Sequence, residues 1–265
     1  MIKAYAKVNL HLQVGQKREN SLHEVFTLIQ KIDLYDEIEI EIKESVKTAV
    51  KIRGMEDFKI DGLNSMEKAV KIWCFHQKMN AEVKINIKKK IPIKSGLGGP
   101  SSDAACVLLS LQKFFNKKTD LYDIALKVGS DVPFFISGAN AAIVEGTGEI
   151  VQKITPRKDL KGFVLIPEGK QVSTAWAFNE LDKFEKKPFW TKEQLVSVYR
   201  DEINNWNLEN DFALVNKKPK FKFLESLKDD DFLFLSGSGS AWILITDRTK
   251  FDELNQNIYK IKFLS

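Results

Sequence analysis

Ile91-Pro92-Ile93-Lys94-Ser95-Gly96-Leu97-Gly98-Gly99-Pro100-Ser101-Ser102-Asp103 runs directly into Ala104-Ala105-Cys106-Val107-Leu108-Leu109. A β-branched segment leads into a glycine-rich turn, and the turn opens a helix. Glycine reaches backbone dihedrals that other residues resist and lets the main chain approach a ligand closely. A helix N-terminus adds unpaired N–H donors and a partial positive charge, so the combination suits an anion. The hydroxyls of Ser101 and Ser102 can cap the helix, or bind phosphate oxygens or a phosphate-bound cation. The stretch reads as a phosphate cradle for a nucleotide. It is not a Walker A loop, because no Gly-Lys-Ser/Thr follows the glycines, and its Gly-x-Gly-Gly packing is not a Rossmann fingerprint. The same residues also suit a flexible helix start without a ligand, so other segments must decide.

Upstream, Ala4 to Val14, Val25 to Ile32 and Glu37 to Ile42 alternate in the manner of strands. Asn64 reads as the N-cap of a helix reaching about Met79, with Met66, Ala69, Val70, Trp73 and Phe75 at its apolar positions. Val83 to Ile87 is a strand leading to the glycine-rich turn, and the helix after the turn covers about Ser101 to Phe115. A further helix is expected from Asp120 to Val128. Ala139 to Val144 and Glu149 to Ile154 then form a hairpin joined at Gly146-Thr147-Gly148. Beyond Thr155-Pro156-Arg157-Lys158 a second section begins with a strand at Gly162 to Ile166. Helices are expected there near Thr174 to Leu181, Lys192 to Tyr199 and Lys220 to Leu227. Strands follow at Phe232 to Leu235 and Ala241 to Thr246, then a short helix and a last strand near Ile258 to Phe263. Strands and helices mix without steady βαβ alternation, which argues for an α+β fold with a lobe boundary near residue 156.

The bulk properties narrow the function classes. A chain of 265 residues can bury a substantial core, and 43% hydrophobic with 29% charged residues describes an ordinary soluble globular protein. The net charge of +5 comes from lysines scattered along the chain, a pattern of a solvated surface rather than of a dedicated nucleic-acid face. No apolar run is long enough to span a bilayer, and Met1 to Lys7 lacks the apolar block of a signal peptide. Cys74 and Cys106 sit within apolar helical patterns and read as two buried thiols, and no Cys/His cluster has zinc-ligand spacing. A cytoplasmic protein with no membrane and no nucleic-acid partner is expected.

Three further pieces can carry chemistry. In the strand Ala6-Lys7-Val8-Asn9-Leu10-His11-Leu12, Lys7, Asn9 and His11 face one way. The pattern fits a half-exposed strand, or a lysine and an amide pointing into a cleft. In Gly129-Ser130-Asp131-Val132-Pro133-Phe134-Phe135 the Asp stands in an Asx-type turn, or serves to accept a proton from a substrate hydroxyl. A lysine beside such a carboxylate would hold the developing charges of phosphoryl transfer. Whether Lys7 meets Asp131 is a question for the tertiary structure. The third piece, Leu235-Ser236-Gly237-Ser238-Gly239-Ser240-Ala241, lies between two apolar strands, so it reads as a tight turn able to close one wall of a phosphate site.

In this order the pieces resemble the GHMP kinase superfamily, whose three motifs lie near the N-terminus, in the middle and near the C-terminus. The resemblance extends to Lys17-Arg18-Glu19-Asn20-Ser21-Leu22-His23, Ile32-Asp33-Leu34-Tyr35-Asp36-Glu37-Ile38 and Glu145-Gly146-Thr147-Gly148-Glu149. It thus spans nearly the whole chain. These segments point to the branch of the superfamily that phosphorylates a cytidine-diphosphate-linked methylerythritol with ATP. The resemblance implies two lobes, a ribosomal-protein-like ATP-binding lobe over residues 1–155 and a ferredoxin-like lobe over 156–265, in a monomer or homodimer. It implies Lys7 and Asp131 as the catalytic pair and Asn9 as a holder of the substrate. Pro92, Lys94, Gly96, Leu97, Gly98, Gly99, Pro100, Ser101 and Ser102 would form the ATP loop, with Asn64 beside the adenosine. His23 would bond the cytosine edge, Phe178 would stack on the ring, and Thr174 would lie near the phosphates. Magnesium accompanies the ATP, with no protein ligand identified.

Two positions depart from the family pattern. Leu22 stands where the family has a tyrosine forming the second face of an aromatic sandwich. A base–aromatic stack is worth about 1–3 kcal/mol, so an apolar leucine contact leaves a weaker site. Pro100 stands where the family has a third glycine and lacks an N–H, but its fixed φ suits the first residue of a helix. The expected cradle then uses the amides of Gly98, Gly99, Ser101 and Ser102. Rival readings are a sibling kinase acting on mevalonate or homoserine, a non-catalytic nucleotide-binding module, and RNA binding by the basic surface. Competition by cytidine nucleotides, ADP release and salt-dependent RNA affinity separate them.

Overall fold

The computed structural model describes residues 1–19, 21–56, 62–168, 172–228, 230–248 and 257–265. Among the described residues, ten strands and six α-helices follow one another as β1 (Ile2–Lys17), β2 (His23–Glu44), β3 (Ala49–Arg53), α1 (Ser65–Gln77), β4 (Ala81–Lys88), α2 (Gly99–Phe114), α3 (Tyr122–Val128) and α4 (Val132–Ile136). Then come β5 (Ala141–Gly146), β6 (Ile150–Lys153), β7 (Lys161–Leu165), α5 (Thr174–Leu181), α6 (Lys192–Arg200), β8 (Phe232–Leu235), β9 (Trp242–Ile245) and β10 (Ile258–Lys262). The predicted short helix before β10 falls mostly on residues 249–256, outside the described residues.

The first sheet runs β3-β4-β2-β5-β6, with β1 paired to β2. Its centre is β2, which is 22 residues long. The C-terminal part of β2 pairs antiparallel with β4, its N-terminal part pairs with β5, and β1 lies along most of its length. Sequence reading broke β2 at Asp33 to Asp36, where polar residues interrupt the apolar alternation. The strand continues because Asp36 is fully buried and partnered there. The charged edge strand β3, parallel to β4, was missed because neither of its faces is fully buried.

In β4 every second residue is buried, and that face receives the helices. Helix α1 starts where expected, with the Asn64 side chain accepting from the Met66 amide. It packs through Met66, Ala69, Val70, Trp73 and Cys74; Phe75, expected among the apolar contacts, is 86% exposed because the inward position belongs to Cys74. Both cysteines are free thiols; Cys74 is buried as expected, whereas Cys106 is only half-buried, though desolvation still pushes its thiol up to about 12. Four helices and the sheet enclose one core around Trp73, Leu108 and Phe134.

The second sheet is antiparallel, in the order β10-β7-β9-β8. Helix α6 carries the capping box Thr191/Gln194. The helix expected at Lys220 to Leu227 is a short 3₁₀ stretch, Lys222–Ser226. Phe221 and Phe223, two residues apart, stack on each other and pack on the same core, a spacing that an α-helix does not place on one face. The two sheets meet through two apolar clusters among the described residues: one joins Ala6, Val8, Leu10, Leu28 and Ile32 to Val164, Tyr199, Phe234, Ile243 and Ile261, and the other joins Leu12 and Val14 to Phe163, Leu165, Trp242 and Leu244. No helix among the described residues is long and apolar enough to cross a membrane.

Candidate active site

Where β1 passes between the sheets, its side chains have no open solvent to face. Lys7 is 3% exposed, and its ammonium lies 3.3 Å from Asp131 Oδ2 and donates to Asn9 Oδ1 at 2.5 Å. The carboxylate reaches the lysine because Asp131 precedes α4 in a helical backbone conformation and its side chain makes no cap bond. The Asx-type turn is therefore replaced by a short helix that turns the carboxylate outward. Asn9 is fixed in turn: its Nδ2 donates to Thr27 Oγ1 at 2.8 Å, and Thr27 donates to the His11 carbonyl at 2.6 Å. The Asn9 backbone N–H donates to Ser236 Oγ at 3.2 Å.

The glycine-rich loop is held against this pair. Lys7 N–H donates to the Leu97 carbonyl at 2.9 Å, and Ala241 N–H donates to the Ser95 carbonyl at 2.9 Å. One loop is thereby tied both to β1 and to the turn between β8 and β9. Gly96 has φ +81°, and a Cβ there would stand 2.3 Å from the Ser236 carbonyl oxygen. Gly98 has φ +72°, and a Cβ there would stand 2.9 Å from Lys7 Cγ. Only glycine permits both the conformation and these approaches.

Gly98 is the N-cap of α2, so the helix opens at Gly99 and Pro100 is its second residue rather than its first. An N–H at that position has no partner within a helix, so proline removes nothing the fold needs. The amides of Ser101 and Ser102 both donate to the Gly98 carbonyl, at 3.1 and 2.9 Å. Of the four amides expected to form the cradle, Ser101 and Ser102 are already turned into the first turn of the helix, while those of Gly98 and Gly99 donate to no backbone carbonyl among the described residues.

Lys7, Asn9, His23, Gly96, Gly98, Ser101, Asp131, Thr174 and Phe178 all line one cavity of about 570 Å³. The other sequence-derived candidates stand outside its lining. Asn64 caps α1, and its neighbour Ser65 donates to the Pro100 carbonyl at 2.8 Å, which sets Asn64 beside the start of α2. Pro92 accepts from Ser95 Oγ; Lys94 and Pro100 are exposed; Gly99 and Ser102 are buried. The Leu97 side chain is wholly buried in the inter-sheet cluster and offers the site only its backbone.

At the far end of the cavity the His23 ring stacks on Phe178, with centroids 4.7 Å apart and planes 18° apart. His23 Nε2 is 2.7 Å from Asp182 Oδ1. Although burial works against it, His23 and Lys186 hold the Asp182 carboxyl below the usual carboxylate range. Thr174 Oγ1 is 3.0 Å from Ser238 Oγ, so the turn between β8 and β9 reaches this end as well. Leu22 is 47% exposed beside it. His11, on the same strand as Lys7 and Asn9, does not join the cavity lining. It is fully buried against Trp190, and desolvation lowers its pKa.

Sequence reasoning missed Thr27 and Asp182, which fix the site, because each acts through long-range contact and neither belongs to a local pattern; Ser130, next to Asp131 in the same motif, lines the cavity without having been expected there. Asp131 is the only carboxylate among the described residues lining the cavity; it faces Lys7, and Lys17 also lines the cavity. Among the described residues no group of three or more His, Cys, Asp or Glu side chains forms a metal cage. The arrangement suits a polyphosphate held by glycine amides and lysines, with one carboxylate positioned for a proton.

Comparison with known proteins agrees in fold and family. Residues 64–139 match the GHMP kinases N terminal domain. The 4-diphosphocytidyl-2-C-methyl-D-erythritol kinase of Fervidobacterium nodosum is 34% identical over 261 residues, covering 95% of this chain and 92% of its own length. The enzyme of that name from Clostridium botulinum (strain Hall) is 37% identical over 247 residues, covering 90% and 85%. A crystal structure of 4-(cytidine 5'-diphospho)-2C-methyl-D-erythritol kinase aligns with TM-score 0.69 at 28% identity, over 93% of this chain and 90% of that one. The Methanococcus jannaschii mevalonate kinase shares the fold, with TM-score 0.67 at 19% identity over 100% and 98% of the two chains.

Proposed function

Because this chain belongs to the family of 4-diphosphocytidyl-2-C-methyl-D-erythritol kinases within the GHMP kinases, we infer that it phosphorylates the 2-hydroxyl of 4-diphosphocytidyl-2-C-methyl-D-erythritol with ATP. The reaction belongs to the non-mevalonate route to isoprenoid precursors. One observation carries the reading to this chain's own residues: the Lys7–Asp131 pair stands in the same cavity as the glycine-rich loop.

The residues divide the work by position. ATP would supply the γ-phosphoryl group, and magnesium carried with it would neutralise phosphate charge. The amide of Gly98, which lines the cavity, and that of Gly99 just behind it, both at the N-terminus of α2, bind phosphate oxygens. Asp131 takes the proton of the attacking hydroxyl, while Lys7 holds the pair in register and balances charge on the transferred group. Asn9, fixed by Thr27 and Ser236, keeps the Lys7 ammonium aimed into the cavity. The residues fit magnesium as a cation borne on the nucleotide's phosphates, since a single carboxylate and several hydroxyls line the site. In-line transfer asks mainly for alignment and charge stabilisation, which this set provides.

At the other end, His23, Phe178 and Thr174 receive the cytidine diphosphate part. One face of Phe178 is covered by His23 in this state, so a base stacking on that face displaces the imidazole. The lobes are assigned as residues 1–155 and 156–265, the chain passing between the sheets after β6 ends at Lys153. The decisive experiment measures ADP release with the cytidylyl methylerythritol acceptor, with mevalonate, with homoserine and with no acceptor. Clear preference for the first is expected; equal or greater turnover with another alcohol would overturn the substrate assignment.

A further inference from the structure

Behind the glycine-rich loop lies a buried ion cluster that touches no reacting group. Lys89, the residue after β4, has a side chain 6% exposed. Its ammonium is 2.5 Å from Asp36 Oδ2 and 2.9 Å from Asp103 Oδ2. Asp36 lies on β2, Asp103 on α2, and both are buried. The second oxygen of Asp36 accepts the backbone N–H groups of Lys90 and Ile91, at 2.6 and 2.9 Å. The central strand, the first residues of the loop and the opening turns of the helix therefore converge on one ammonium.

The cluster sits against the phosphate-facing backbone. A Cβ on Gly99 would stand 3.1 Å from Ile91 Cγ2 and 3.5 Å from Lys89 Nζ. The cation thus lies immediately behind the residue whose amide opens the cradle. Stability alone is a poor account of it, because burying ions carries a desolvation penalty that well-packed apolar residues avoid. Asp103 Oδ1 has no hydrogen-bond partner, so the cluster is not built for maximum stability either.

We propose that Lys89, clamped between Asp36 and Asp103, is a positioning residue for the ATP phosphates. It sets the start of the glycine-rich loop at a fixed height against the N-terminus of α2, so that the Gly98 and Gly99 amides point at one place. This rests on the reading of the loop as the ATP site. Acceptor binding, which uses the opposite end of the cavity, is independent of it.

The test compares the full-length wild type with Lys89→Met and with Lys89→Met/Asp103→Asn. The double variant removes the cation without leaving two bare carboxylates, and it serves if the single variant fails to fold. ATP–magnesium binding is titrated directly, KM for ATP and KM for the acceptor are measured separately, and circular dichroism reports the fold. Expected is a loss of ATP affinity of tenfold or more in a folded variant, with acceptor KM changed less than twofold. Unchanged ATP affinity, or equal losses for ATP and acceptor, overturns the positioning role. Failure of the wild type itself to bind ATP would overturn the reading of the loop instead.

Discussion

Lys7 and Asp131 reach one another from a long central strand and from the residue before a five-residue helix, and the ion pair between them is where chemistry is expected to concentrate. Replacing Asp131 with Asn keeps shape and removes the proton acceptor. A positioned general base contributes about 10²–10⁴-fold, so turnover should fall by that order while ATP affinity stays near wild type. A coupled ADP assay beside an ATP titration decides it; turnover within a few-fold of wild type would free Asp131 from the role. At the other end, Phe178→Ala should raise the KM for the cytidylyl acceptor about tenfold, in keeping with a base stack of about 1–3 kcal/mol, and leave the KM for ATP alone. Asp103 offers a pH test. Burial pushes its carboxyl up to about 7, against the pull of Lys89. Between about pH 4, where an unfolded Asp releases its proton, and pH 7 the folded state holds a proton the unfolded state has lost, so Asp103 makes stability fall as pH rises. Asp103→Asn should therefore gain stability relative to wild type across that window. Denaturant titrations at pH 4.5 and 7, taken as about the two ends of the window, would show the difference growing.

At the scale of elements, the two glycine-rich turns work as one unit. The loop before α2 and the turn between β8 and β9 approach so closely at Gly96 that a methyl group would meet the Ser236 carbonyl at 2.3 Å. Gly96→Ala must push the turns apart or leave its φ of +81°, at a cost of about 1–3 kcal/mol. Because Ser236 also holds Asn9, the variant should lose ATP affinity and turnover together, which a thermal melt and a paired KM and kcat measurement would show. The local sequence signals marked both as turns, since glycine and serine clusters interrupt the apolar pattern there, but the loop before α2 equally suited a plain helix start. Helix α4 and strand β3 carried weaker signals. The first is five residues with a proline inside, and the second is an edge strand whose charged side chains mask the alternation.

For the whole molecule, the two sheets share apolar clusters and a buried polar junction. Tyr199 donates to Gln30 Oε1 at 2.6 Å and accepts from the Arg157 amide at 2.7 Å, while Gln30 Nε2 donates to the Arg157 and Leu264 carbonyls. Burial pushes the phenol up to about 12, so it stays a neutral donor at working pH. Tyr199→Phe leaves Gln30 Oε1 and the Arg157 amide unpaired and should cost about 1–3 kcal/mol. Calorimetry should show one cooperative transition in both proteins, since the lobes meet through the cluster joining Leu10 and Ile32 to Phe234 and Ile243.

The sequence by itself determined the α+β class, the glycine-rich loop, most strands and helices, and the identity of Lys7, Asn9 and Asp131 as chemically promising. These are written in local patterns: periodicity, caps, turns and short motifs act over a few residues. The tertiary structure alone decided that Lys7 meets Asp131 across 124 positions of chain, a separation read directly from their numbers. It also decided that Ser101 and Ser102 spend their amides on the Gly98 carbonyl, that His23 rests on Phe178, and that Asp36 stays buried within β2 because Lys89 comes to meet it. Such outcomes depend on which buried charge or donor finds a partner from a distant element, and no local spacing encodes that choice.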